Sequence, residues 1–505
     1  MKHKEGWSIF LRILALLLIW AGLIFVFPIE RGFASLRQAS LAEKQGDYKA
    51  AIRALQEASR FLFWQREGIL ERAGSLALRA DDASLAIILL EPLWNEHKLS
   101  LAGRFELAEA YARSGQKRAA TRLQEELVTE GYRALELYPS LLQDYLSRRQ
   151  YEQARAVLQE LVDLQPKNAH WHYQLGILLA ALRPEEAGTQ LREAVKLDES
   201  YRQRVTPLQE QLAVGQKAGD RAVWFLYAGR GLAALGEWGL AEEAFEQAVK
   251  VRADYAEAWA YLGLAKNQLS LSQMSPLPGF ADHNLSVDEQ EMRKAQRYLA
   301  ARSGLAEIQR ALALDERSQA GLAFLTMYWQ QRGLPHLALE SAKKAAEFYP
   351  QDLNVLSQYA QALVLNGEME KAWQVLLAAR QTLGDTAAVR KTMVSFCIRN
   401  SYQLAETALP AARLLVYQYP GDVENLDLLA QVLFGLSYPE RARQLLEHAL
   451  RINPNYAPAY LHLGMISLSE GKYAQASEEL RRAMELGGST QIAENARRLL
   501  ENYLP

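Results

Sequence analysis

The sequence predicts an all-α protein, a solenoid of helical hairpins preceded by one N-terminal transmembrane helix. Three observations carry this. A signature of small and large residues returns about every 34 residues, from just after an N-terminal apolar stretch to within a few residues of the C-terminus. Within each copy the apolar residues fall three and four apart, the period of one helical face. Residues 8–27, finally, are almost entirely apolar. A unit of this length buries its apolar face only against its neighbours, so the array lengthens by addition and needs no domain boundary. The pattern accounts for nearly all of the 505 residues and leaves little sequence for a catalytic domain.

The apolar stretch comes first. Twenty residues at about 1.5 Å each span about 30 Å, the thickness of a hydrocarbon core. Arg12 lies near its start, where a long side chain reaches the headgroups, and Trp7 falls at the interface. Lys2, Lys4 and Arg12 favour a cytoplasmic N-terminus, although Arg31, Arg37 and Lys44 beyond the span weaken the asymmetry. The expected location is the cell membrane, single-pass, with the repeats extracytoplasmic. A cleaved signal peptide is the rival reading, because Gly32-Phe33-Ala34 offers the small residues that a signal peptidase requires. Against it stand the length of the run and the charges of Glu30 and Arg31 just before that site.

The repeats follow. The first opens near Gly32 with Ala39, Gly46, Ala51, Leu55 and Ala58. Gly74, Ala86 and Leu90 mark the next, and Leu107, Ala108, Tyr111, Gly115 and Ala120 the one after it. A weaker copy carries Tyr145, Ala154, Leu158 and Pro166, and a unit one residue short has Gly176, Ala187, Leu191 and Ala194. After a break come Gly229, Gly236, Ala241, Phe245 and Ala248. Trp259, Leu262 and Gly263 open a unit whose second helix is delayed to about Gly304, Ile308 and Ala311. Leu325, Trp329, Ala338 and Ala345, then Tyr359, Ala360, Gly367, Ala372 and Leu376, keep full register. The unit ending at Pro420 is degenerate, and the last two hold Ala430, Ala442, Leu446 and Ala449, then Gly464, Ala476, Leu480 and Ala483. Small residues sit where two helix axes come close, and large ones fill the space between. Glycine near the fifteenth position ends the first helix, and proline near the thirty-second stops the second.

This pattern closely resembles the tetratricopeptide repeat, over roughly residues 32–490 and about twelve units of uneven quality. The resemblance implies antiparallel helix pairs stacked into a right-handed superhelix. Its concave groove, lined by the first helix of each pair, would hold a peptide or a partner's helix. The overall arrangement also resembles bacterial membrane-anchored repeat proteins of unknown function.

Two interruptions divide the array. The segment from Tyr201 to Leu212 forms a helix that fits no unit, and separates an N-terminal block (32–202) from a C-terminal one (222–490) through a linker at 203–221. A second insertion at about 270–303 begins as a proline-containing loop and becomes a helix, with Asp288, Glu289 and Glu291 at its start and Arg297 and Arg302 near its end. Residues 1–31 are the tail and anchor, and residues 491–505 a capping helix whose polar face covers the final unit.

Composition excludes several classes. Half the residues are apolar and 23% charged, which argues against disorder. With a net charge of −2 and no basic stripe, no nucleic-acid partner is expected. One cysteine, Cys397, rules out an internal disulfide framework and lies in the apolar run 393–398 as a core thiol. His170 and His172 are two apart on a helix and point to different sides, so no metal is expected there. No glycine-rich phosphate loop, nucleophile elbow or HExxH is present, and neither cofactor nor enzymatic activity is expected.

The groove holds the remaining information. Family members that clamp a partner's C-terminal carboxylate place lysine, arginine and asparagine at set groove positions. Here those positions hold Glu71 and Ser75, Tyr173 and Ile177, Leu226 and Arg230, Met327, Ser357 and Gln361, Asp427 and Gln431, and Leu461 and Met465. The clamp is missing. The candidate binding residues are Tyr173, Leu226, Arg230, Met327, Gln331, Gln361, Leu461 and Met465, in a mixed groove suited to an amphipathic or extended protein segment. Packing against adjacent first helices is the competing role for the same residues. The expected function is a non-catalytic, membrane-anchored scaffold for protein partners at the cell envelope. A secreted binder cleaved near Ala34, or a non-catalytic subunit of an envelope enzyme complex, remain the alternatives.

Overall fold

Alanine and glycine at the repeated small positions let helix axes approach closely, and helical hairpins form there in the computed structural model, which describes residues 27–273, 304–488 and 490–503. Every regular element among the described residues is helical. The expected membrane segment (apart from Phe27) and the helix expected within 288–302 lie outside the described residues. Among those described, no helix is long and apolar enough to cross a membrane.

The chain forms two compact units that divide between Leu175 and Gly176. In the first, α1 (Phe27–Lys44) pairs with α2 (Tyr48–Phe61), α3 (Arg66–Arg79) with α4 (Ala83–Asn95), α5 (Leu101–Arg113) with α6 (Lys117–Thr129), and α7 (Leu137–Ser147) with α8 (Tyr151–Leu164). Ala39, Leu55, Ala58, Ala73, Leu76 and Leu90 belong to one buried seam. Helix α9 (Ala169–Leu182) begins in this unit and ends in the second.

In the second unit the end of α9 packs on α10 (Pro184–Leu197) through Gly176 and Leu191, and α11 (Arg202–Ala218) is the helix outside the repeat signature. It nevertheless packs tightly, since a Cβ on Gly231 would lie 2.6 Å from Leu208. Hairpins follow from α12 (Arg221–Ala234) with α13 (Trp238–Val251) and α14 (Ala256–Gln273) with α15 (Leu305–Leu314). Next come α16 (Gln319–Gln331) with α17 (Pro335–Phe348), and α18 (Leu353–Leu365) with α19 (Met369–Leu383). In the degenerate unit α20 (Ala387–Asn400) leads through a wide turn, Leu404–Ala408, into α21 (Leu409–Gln418). The array ends with α22 (Val423–Gly435) on α23 (Pro439–Ile452), α24 (Ala457–Ser469) on α25 (Tyr473–Gly487), and α26 (Gln491–Tyr503).

Two boundaries differ from those expected. Helix α1 is already helical at Phe27, ahead of Gly32, and carries Gly32-Phe33-Ala34 inside it. Helix α14 runs to Gln273, so Ser270 to Gln273 are helical rather than loop. Nothing in that last turn breaks a helix, because the prolines come later, at 276 and 278.

The small positions act as the pattern requires. A Cβ on Gly464 would sit 2.6 Å from Leu480, which is fully buried, so only glycine admits this approach. At the end of α18, Gly367 adopts φ 80°, and the amide of Glu368 donates to Leu363 O at 2.9 Å while Gly367 donates to Val364 O at 2.9 Å. This satisfies the orphan carbonyls of the last turn. The same position in other repeats holds Asp81 at φ 58° and Ser437 at φ 66°, a conformation that costs a residue with a side chain about 1 kcal/mol.

Candidate functional site

The first helices of consecutive hairpins lie side by side, and clefts open between them where the facing side chains are short. One cleft in the second unit, of about 290 Å³, lies between α20, α22 and α24. Ala430 and Gly435 leave it open, and Ile398, Phe434, Ile466 and Leu446 give it apolar walls. Leu404, delivered by the wide turn after α20, lines it as well, and Met465 stands exposed at its rim. One edge is polar. His462 Nδ1 lies 2.6 Å from Asp427 Oδ1, and Gln431 Nε2 donates to Asp427 Oδ2 at 3.1 Å. Asp427 is buried, and these two partners offset its loss of water. Burial, and next the charge of Asp427, push the Tyr456 hydroxyl well above the ordinary tyrosine range.

A second cleft, of about 480 Å³, lies between α12, α14 and α16. Its chemistry is aromatic and charged. The Arg230 guanidinium stacks 5.0 Å from the Tyr227 ring and 5.3 Å from the Tyr261 ring, with Glu257 at 3.7 Å. Tyr261 meets Phe324 edge-on at 4.9 Å, and Asp315, Ser318 and Gln319 complete the wall.

The candidate residues separate by burial. Tyr173 at 5% exposure, Leu226 at 0% and Leu461 at 4% are core side chains. Leu461 packs in the cluster that α26 closes, which is why the groove does not reach it. Met327 and Gln361 are half-buried, and Gln361 accepts from Arg399 at 3.2 Å. Gln331 is exposed but accepts from the buried Asn267 at 2.6 Å. Arg230 and Met465 line the two clefts, one in each. In the first unit, Glu71 accepts from Ser100, and burial pushes the Glu106 carboxyl up against the opposing hydrogen bond of Ser75.

Sequence reasoning missed Phe434, Leu404 and His462. Phe434 sits three residues beyond the groove position Gln431, on the same helical face. His462 pairs with Asp427 35 residues away, about one repeat, so the signal for it was the period itself. His172 is buried with a ring nitrogen 3.0 Å from Pro166 O, whereas His170 is exposed and rests edge-on against Trp171 at 4.8 Å. Cys397 is fully buried, and burial pushes its thiol up to about 12. Among the described residues no three His, Cys, Asp or Glu side chains converge as metal ligands would.

Models of the tetratricopeptide repeat match the chain at residues 438–499 and at 140–202 and 227–269. Solved structures similar to it include yeast Tom70, at 14% identity and TM-score 0.39, covering 94% of this chain and 95% of that one. A tetratricopeptide repeat protein from Parabacteroides merdae ATCC 43184 is similar at 14% identity and TM-score 0.38, over 56% of this chain and 99% of its own. MamA (41-end) from Desulfovibrio magneticus RS-1 is similar at 22% identity and TM-score 0.26, over 34% of this chain and 98% of its own. No curated protein sequence matches the chain.

Proposed function

We propose that this tetratricopeptide-repeat chain is a non-catalytic scaffold of the cell envelope, held in the membrane by residues 8–27, that grips a segment of a partner protein. The cleft between α20, α22 and α24 carries the reading. Its apolar walls and its polar edge at Asp427, His462 and Gln431 suit an extended or amphipathic segment that buries apolar side chains and hydrogen-bonds along one side. The position of α1 supports retention of the anchor over cleavage near Ala34. A cut there would remove the first two turns of α1 and with them Gly32, which packs against Leu62 and Phe61. A secreted binder would begin near Ser35, and a subunit of an envelope enzyme complex would co-purify with an activity.

Met465→Asp places a charge at the rim of the apolar cleft without touching the core. The full chain, extracted from membranes in mild detergent, is expected to co-purify with a partner in fixed ratio. The variant is expected to lose that partner while keeping its helical circular dichroism. A partner retained by the variant, or none with the unaltered chain, would contradict the proposal.

A further inference from the structure

We infer that the turn Phe63–Trp64 is a lipid-binding surface that seats in the headgroup boundary of a phospholipid bilayer. The inference rests on the reading of residues 8–27 as a retained anchor. In the first hairpin the C-terminal end of α2 lies against the start of α1. Arg31 Nη2 is 2.8 Å from Glu57 Oε1, and a Cβ on Gly32 would lie 2.7 Å from Leu62. The turn that follows α2 therefore lies near the Gly32 level of α1, about 8 Å along the helix from Phe27, where the apolar run of residues 8–27 ends.

That end of the hairpin is apolar and exposed. Phe27 is 61% exposed, Phe63 75% and Trp64 45%, and the two turn rings meet each other edge-on at 5.1 Å. Neither turn residue contributes to the core, so the fold does not require aromatic side chains there. Arg60 and Arg66, also exposed, flank the pair. Tryptophan and phenylalanine beside arginine match the boundary of a bilayer, where a ring meets the first acyl carbons and guanidinium groups meet phosphate. A second contact beside the anchor would restrict how the first hairpin tilts on the membrane.

The test uses the full chain with Trp64→Cys, carrying an environment-sensitive fluorophore and reconstituted into phosphatidylcholine–phosphatidylglycerol vesicles. Cys397 stays unlabelled because it is fully buried. Gln45→Cys is the control, exposed in the turn at the opposite end of the hairpin, about 20 Å away along α1. Lipids bearing a quencher high on the acyl chain are expected to dim the probe at 64 at least about twofold and to leave the probe at 45 unchanged. Equal, weak quenching at both positions in a chain that still floats with the vesicles would overturn the inference and leave the anchor standing. Energy transfer between differently labelled chains at 64, with no lipid quenching, would assign the surface to a second copy and overturn it too. A chain that does not float with the vesicles would overturn the anchor and this surface together.

Discussion

At the C-terminal end, α26 lays Ala493 and Ala496 against the last hairpin and closes a cluster with Leu461, Leu480 and Ala483. Its outer face carries Glu494, which pairs with Arg497 at 2.9 Å and Arg498 at 3.0 Å. At the N-terminal end, no helix among the described residues covers α1 in this way, and Phe27, Phe33 and Leu41 stand exposed. An array built by addition has to finish its terminal apolar faces, because each unit relies on a neighbour for burial. One end is finished by the chain's own polar helix. Among the described residues the other presents exposed aromatic and apolar side chains, the feature on which the proposed membrane contact rests.

The largest expected difference between the ends is in local stability. Leu480→Ala should cost about 3 kcal/mol in the α24–α26 region, because the side chain is fully buried and touches Gly464. Leu41→Ala at the open end should stay within about 0.5 kcal/mol. Hydrogen exchange of the two regions measures both, and comparable losses would erase the distinction.

Next comes the charge network behind the closed end. Arg443, nearly buried, donates to Glu470 at 2.8 Å and to Ser467 at 3.2 Å, and lies 3.4 Å from Glu479. Arg443→Ala would leave two carboxylates facing each other and should cost about 2–3 kcal/mol. The hydrogen bond from Lys472, with that of Arg443, holds the Glu470 carboxyl below its ordinary value of 4.5. A carboxyl depressed in the folded state stabilises the fold above 4.5, and that contribution disappears as pH falls through the lower folded value. Urea midpoints of the C-terminal hairpins should therefore drop below about pH 4.5, with a shallower drop for Glu470→Gln.

The smallest effects concern the caps. Ser437→Gly and Asp81→Gly should each stabilise by about 0.5–1 kcal/mol, and Gly367→Ala should cost about 1 kcal/mol, because all three positions have positive φ. Thermal midpoints that move in the opposite directions would show that the left-handed caps are not what ends these helices.

Much of the fold was legible in the sequence. The spacing of Ala39, Gly74, Ala108 and Gly464 marked helix contacts that the hairpins display, and the delayed second helix at Ile308 and Ala311 fell where expected. The cleft was less legible. The period marks which face a residue occupies, but whether that face is open depends on what covers it. Leu461 and Met465 lie on one face of α24, yet α26 closes over the first and leaves the second exposed. Leu226 is likewise core, at the repeat position that Leu461 and the buried Asp427 also hold. The wide turn that brings Leu404 to the cleft arises in the unit whose signature is weakest, so no repeat frame could place it.

The scaffold reading is tested most directly by a photoreactive amino acid at Met465 in intact cells, with a second at Tyr417, which is exposed on α21 away from the cleft. The account predicts a discrete protein adduct from Met465, mapped to one segment of one partner, and none from Tyr417. Lipid adducts, no adduct, or the same adducts from both positions would contradict it.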